Sequence, residues 1–127
     1  MAANEPDRLE IPPGTLELLI LRCLVDGPKH GYAITRRIRE RSAERFLVEE
    51  GTLYPALHRL DRLALVKAEW GTSENNRKAR FYRITAAGRR RLVEGTSRWA
   101  EVAAAVTSVL DGSPAPGRPF TVLAGGL

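Results

Sequence analysis

Residues 49–65, EEGTLYPALHRLDRLAL, constrain the fold more than any other stretch. Leu53, Ala56, Leu57, Leu60, Leu63 and Ala64 recur at the i, i+3, i+4, i+7 spacing of one apolar helical face. At about 100° per residue, Pro55, His58, Arg59 and Arg62 fall on the opposite side, flanked by Thr52 and Tyr54. Such a helix is anchored by leucines and turns hydroxyl, imidazole and guanidinium groups outward. Those groups can meet base edges and phosphates in a major groove. An amphipathic surface helix is the plainer reading of the same pattern, so the neighbouring elements decide. Glu49 and Glu50 suit the positive end of the helix dipole but would oppose phosphate. Pro55 is expected near the first turn, where little internal hydrogen bonding is lost.

Two helices are predicted before it. Residues 1–14 read as a flexible arm, because Pro12, Pro13 and Gly14 block a helix until Thr15, the expected N-cap. Residues 16–25 are then nearly all apolar, which places this helix in the core or under a partner. Asp26, Gly27 and Pro28 stop it. The second helix spans about residues 31–42, with Ile34 and Ile38 inward and Arg36, Arg37, Arg39 and Arg41 outward. Its start, near Lys29, His30 and Gly31, could hold a phosphate through free backbone N–H groups. Residues 45–48 are a connector with room for one extended segment.

After the key helix the period changes. Val66, Ala68 and Trp70 alternate with Lys67 and Glu69, the pattern of a half-buried strand. Residues 72–78, TSENNRK, form a turn in which paired asparagines suit left-handed positions. Residues 79–85 form a second strand, with Tyr82 and Ile84 on one face and Phe81 and Arg83 on the other. Between Arg77 and Arg91 the chain carries seven cations and no acid. A basic hairpin beside a reading helix suits the DNA backbone or minor groove. Thr85 is expected to cap a last helix over residues 86–111. There Leu92, Thr96, Trp99, Ala103, Val106 and Leu110 are spaced 4, 3, 4, 3, 4, a heptad seam. Residues 112–127, rich in Pro and Gly, read as a disordered tail.

Three helices, a hairpin and a closing helix make the expected fold mainly α with a small β-hairpin. It is a winged helix-turn-helix over residues 15–85, followed by a dimerisation helix over 86–111. The net charge of +5 favours nucleic acid as partner. No apolar run reaches the roughly 18 residues of a membrane span, and the N-terminus lacks a signal-peptide pattern, so a cytoplasmic protein with no membrane partner is expected. The single cysteine, Cys23, lies on an apolar stripe and reads as a buried structural thiol. His30 and His58 fall in different elements, and no metal-ligand cluster or Gly-rich phosphate loop is present, so neither an enzyme nor a cofactor is expected. The competing function is a winged-helix protein–protein interaction module whose basic face is only solvated.

The chain resembles the PadR-like transcriptional regulators across about residues 14–92. The marks are GTLELLILRCL, GPKHGYAI, EEGTLYPALHRLDRLALV and RFYRITAAGRRRL. The resemblance implies a homodimeric winged-helix repressor on a palindromic operator in double-stranded DNA. It implies that the helix with the Tyr-Pro pair enters the major groove and that the wing touches the backbone. Thr52, Tyr54, Pro55, His58 and Arg59 are then the helix contacts, and Arg77, Lys78 and Arg80 those of the wing. The C-terminal helix would dimerise through the seam; a single such helix resembles the short subgroup. Trp99 would meet its symmetry mate there, and paired indoles can sandwich a flat apolar effector. Filling the interface is the plainer role for Trp99.

Overall fold

The apolar run after Thr15 becomes the central helix α1, Leu16–Leu24, which buries Leu16, Ile20, Leu21, Cys23 and Leu24. The computed structural model describes residues 7–112 and 114; the ends of the expected arm and tail lie outside the described residues. The elements that follow are β1 Lys29–His30, α2 Gly31–Arg41, α3 Glu50–Arg62, β2 Val66–Thr72, β3 Lys78–Ile84 and α4 Ala86–Asp111. Two compact units result, Met1–Val93 and Glu94–Leu127.

The first unit is a winged helix-turn-helix. Leu53, Ala56, Leu57 and Leu60 of α3 pack with Ile34 and Ile38 of α2 and with α1 into one core. The sheet, in the order β1-β3-β2, closes it. Val66 pairs with Ile84 and Ala68 with Tyr82, so these four share the face that seals the core. No charged or polar residue is buried among those described.

Several local expectations need correction. Thr15 makes no side-chain capping bond; its N–H instead donates to the Pro12 carbonyl in a turn. Residues 45–49 carry no strand. Leu9 donates its N–H to the Arg45 carbonyl, and Arg45 Nε donates to the Asp7 carbonyl, so the near end of the arm is tied to the connector. Pro55 is not in the first turn of α3, which begins at Glu50. It has no N–H to offer the Gly51 carbonyl four residues back. The apolar stripe also ends early. Ala64 takes a left-handed φ of 60°, the Leu65 N–H closes onto the Leu60 carbonyl, and Leu63 is turned outward. Leu63 and Ala64 are exposed, and Leu65 and Val66 take the buried places instead.

β1 is an element that the sequence reading missed. Its two residues pair with Tyr82 and Phe81 of β3. It delivers His30 to the N-cap of α2, where Nδ1 accepts the Ala33 N–H at 3.2 Å. That bond occupies a backbone donor expected to be free for phosphate. In the hairpin loop, Asn76 has φ 60°, as expected of one of the paired asparagines. At the far end, Thr85 Oγ1 accepts the Gly88 N–H at 3.0 Å and donates to the Ala64 carbonyl at 2.7 Å. Thr85 therefore caps α4 and ties it to the end of α3.

The second unit is the rest of α4. Thr96, Trp99, Val102, Val106, Val109 and Leu110 are all exposed, and Ala103 is half-buried. Leu92 lies in the first unit and packs, half-buried, against this chain's own core. No helix among the described residues is long and apolar enough to cross a membrane.

Candidate nucleic-acid interface

With its leucines inward, α3 must present its other face outward. Thr52, Tyr54, Pro55, His58 and Arg59 are all exposed. Two of them are oriented by other helices. Arg59 Nε and Nη2 reach Glu17 Oε2 of α1 at 2.8 and 2.7 Å. An exposed pair adds little stability, but this one directs the guanidinium. Tyr54 lies against the start of α2, where a Cβ on Gly31 would stand 2.5 Å from the phenol oxygen. Only glycine gives Tyr54 that seat.

The hairpin supplies the second half. On the sheet face that seals the core, the next pairs outward are Trp70 with Arg80 and Thr72 with Lys78. Trp70 is four residues beyond Val66, roughly 13 Å along the strand. It lies past the edge of the core and is 61% exposed, not half-buried as its alternation predicts. Lys78 Nζ and Arg80 Cζ lie 5.6 and 5.5 Å from its ring centroid. On the opposite face, Glu69 holds Arg83 at 3.7 Å.

Between these halves runs a cleft of about 410 Å³. Tyr54 and Tyr32 line it on the helical side, and Trp70, Arg77, Lys78 and Arg80 on the hairpin side. Of the eight expected contacts, the cleft gathers Tyr54, Arg77, Lys78 and Arg80. Thr52, Pro55, His58 and Arg59 do not line it. His30, Tyr32 and Trp70 were not singled out as site residues. Tyr32 and Trp70 could have been suspected as aromatics interleaved with cations, but His30 gave no signal without β1. Glu74 is the acidic side chain on the cleft.

Two other hollows have different chemistry. One of about 370 Å³, beside α2, is lined by Lys29, Arg36 and Arg37. Two of these cations already have acidic partners: Arg36 reaches Glu40 at 3.5 Å and Arg37 reaches Asp26 at 2.7 Å. The Arg37 hydrogen bond holds the Asp26 carboxyl below its usual range. The other, about 260 Å³, is walled by Leu19, Cys23, Ile38 and Phe46. Burial pushes the Cys23 thiol up, which makes it a poor nucleophile. Among the described residues no group of three or more His, Cys, Asp or Glu could hold a metal.

The comparisons agree with this architecture. Residues 20–94 match the transcriptional regulator PadR-like family. Transcriptional regulator Rv3488 of Mycobacterium tuberculosis is 36% identical over 94 residues, which are 74% of this chain and 84% of that one. A PadR family transcription regulator from Clostridium difficile superposes with a TM-score of 0.66 at 27% identity, covering 76% of this chain and 99% of that one. A PadR family regulator from Eggerthella lenta gives 0.66 at 31% identity, over 76% of this chain and 82% of that one. These are regulators, not enzymes, and the chain belongs to the PadR-like family of transcriptional regulators.

Proposed function

We propose that this regulator is a homodimeric repressor that binds a palindromic operator in double-stranded DNA and blocks a promoter sterically. The observation that carries the reading is the cleft between α3 and the hairpin. There Tyr54 and three cations, Arg77, Lys78 and Arg80, face one space. In this reading the outer face of α3 enters the major groove and the wing lies on the backbone. Thr52, Tyr54, Pro55, His58 and Arg59 read bases or shape, while Arg77, Lys78 and Arg80 neutralise phosphates. Dimerisation through α4 sets two copies of α3 about one DNA turn, roughly 34 Å, apart. The exposed run of Trp99, Val102, Val106, Val109 and Leu110 supports it, since large apolar side chains at this spacing call for a partner helix. Thr96 and Ala103 complete that seam. Leu92 stands at its edge, given its packing within the chain. Trp99 enters as an interface side chain; a flat apolar effector between two indoles would use the same place.

Fluorescence anisotropy tests the reading, with a labelled duplex from the gene's own upstream region set against scrambled DNA across a salt series. Sequence-dependent binding is expected, with a log–log slope of about −0.9 per phosphate contacted. Sedimentation of the complex should give two chains per duplex. Binding to partner proteins that survives high salt and ignores DNA would support the interaction-module reading instead.

The Arg59–Glu17 pair makes a sharper prediction. Arg59→Ala should weaken operator binding by about 1–3 kcal/mol, and unchanged affinity would remove Arg59 from the site. Glu17→Gln should strengthen binding, because it releases the guanidinium without moving α3.

A further inference from the structure

We propose that Trp70 is the positioning residue of the wing: its indole holds Lys78 and Arg80 ready to meet the DNA backbone. This rests on the DNA-binding reading above. The two cations lie 5.6 and 5.5 Å from the ring centroid, within the reach of a cation–π attraction. The strand register makes the arrangement a built one. Arg80 is the cross-strand partner of Trp70, and Lys78 stands one pair further out on the same face.

The choice of an indole has a chemical consequence. On the opposite face of the hairpin, Glu69 holds Arg83 and partly cancels its charge. A carboxylate beside Lys78 and Arg80 would order them in the same way but would repel phosphate. A neutral ring with a negative face orders them and leaves both charges available. Among the described residues neither cation is in an ion pair with an acid. Lys and Arg have many rotamers, and ordering them only at the DNA would weaken binding. Holding them beforehand moves part of that cost to folding.

The test is a thermodynamic cycle read by anisotropy at about 0.1 M salt, using the full chain. Trp70→Leu keeps an apolar side chain and removes the ring face. It should weaken operator binding about three- to tenfold, as the loss of exposed cation–π contacts implies. Trp70→Phe should recover most of that loss. In a Lys78→Ala/Arg80→Ala background, Trp70→Leu should cost nothing further, because the groups it acts through are gone. A loss that persists there would overturn the proposal, since Trp70 would then be touching DNA or supporting the hairpin. Parent-like binding by Trp70→Leu would overturn it as well and leave the DNA reading standing. A second readout needs no DNA: in the free protein, ring-current shifts on the Arg80 and Lys78 side-chain protons should vanish in Trp70→Leu. If those shifts are absent from the parent, the proposal falls. If the shifts are present but the parent binds no duplex, the DNA reading falls and takes the proposed role with it.

Discussion

Gly88→Ala should lower the unfolding free energy by roughly 2–3 kcal/mol. A Cβ at this position would stand 2.2 Å from the Leu65 carbonyl oxygen and 2.8 Å from Ile84 Cγ1. The first of these atoms is backbone, so no rotamer change relieves the clash. α4 would have to lift from the end of α3, and three bonds that join them would suffer. The Thr85 N–H donates to the Leu65 carbonyl at 3.1 Å, Thr85 Oγ1 donates to the Ala64 carbonyl, and Gly88 donates to Thr85 Oγ1. Alanine is the better helix former by about 1 kcal/mol, which offsets part of this loss but not all of it. For a unit of this size the melting temperature should fall by roughly 10–20 °C. Gly51→Ala is the matched control. That glycine is also helical, but a Cβ there meets nothing within 4 Å. It should be neutral or slightly stabilising. A Gly88→Ala protein that melts with the parent would mean that the junction yields more easily than its geometry implies.

That junction also shows where sequence reasoning stops. The periodicity of α3 correctly assigns Leu53, Ala56, Leu57 and Leu60 to the core, because burial enforces that spacing over several turns. It then carries Leu63 and Ala64 along as if the helix continued. What ends the helix is a left-handed alanine in a place usually taken by glycine, and the residue type does not announce it. Trp70 fails for another reason. Alternation correctly names its face of the sheet but says nothing of how far along the strand the core extends. The cleft depends on both facts, so its cations were legible as a charge run while their aromatic partner was not. β1 was illegible because two residues have no period. The role of His30 as a cap depended on it. By contrast Thr85, which follows one strand and precedes one helix, was readable as a cap from its place alone.

Replacing Arg77, Lys78 and Arg80 together by alanine should produce the largest functional loss. The net charge falls from +5 to +2, since three of the 20 cations are removed against 15 acids. If each neutralises one phosphate, the log–log salt slope should become shallower by about 2.7, at 0.9 per contact. At about 0.1 M salt the same relation implies a loss of roughly 10²–10³-fold in affinity. Stability should barely change, because all three side chains are exposed and none is in an ion pair among the described residues. The pattern of the loss matters as much as its size. Phosphate contacts carry no sequence information, so binding to operator and scrambled duplex should fall together. Discrimination between the two should then survive, resting on α3. If discrimination collapses as well, the wing is reading bases. If affinity falls but the slope does not, the three cations act on the protein and not on the backbone. Binding that stays at the parent level would separate the cleft from DNA altogether, and α3 alone would have to carry the interface.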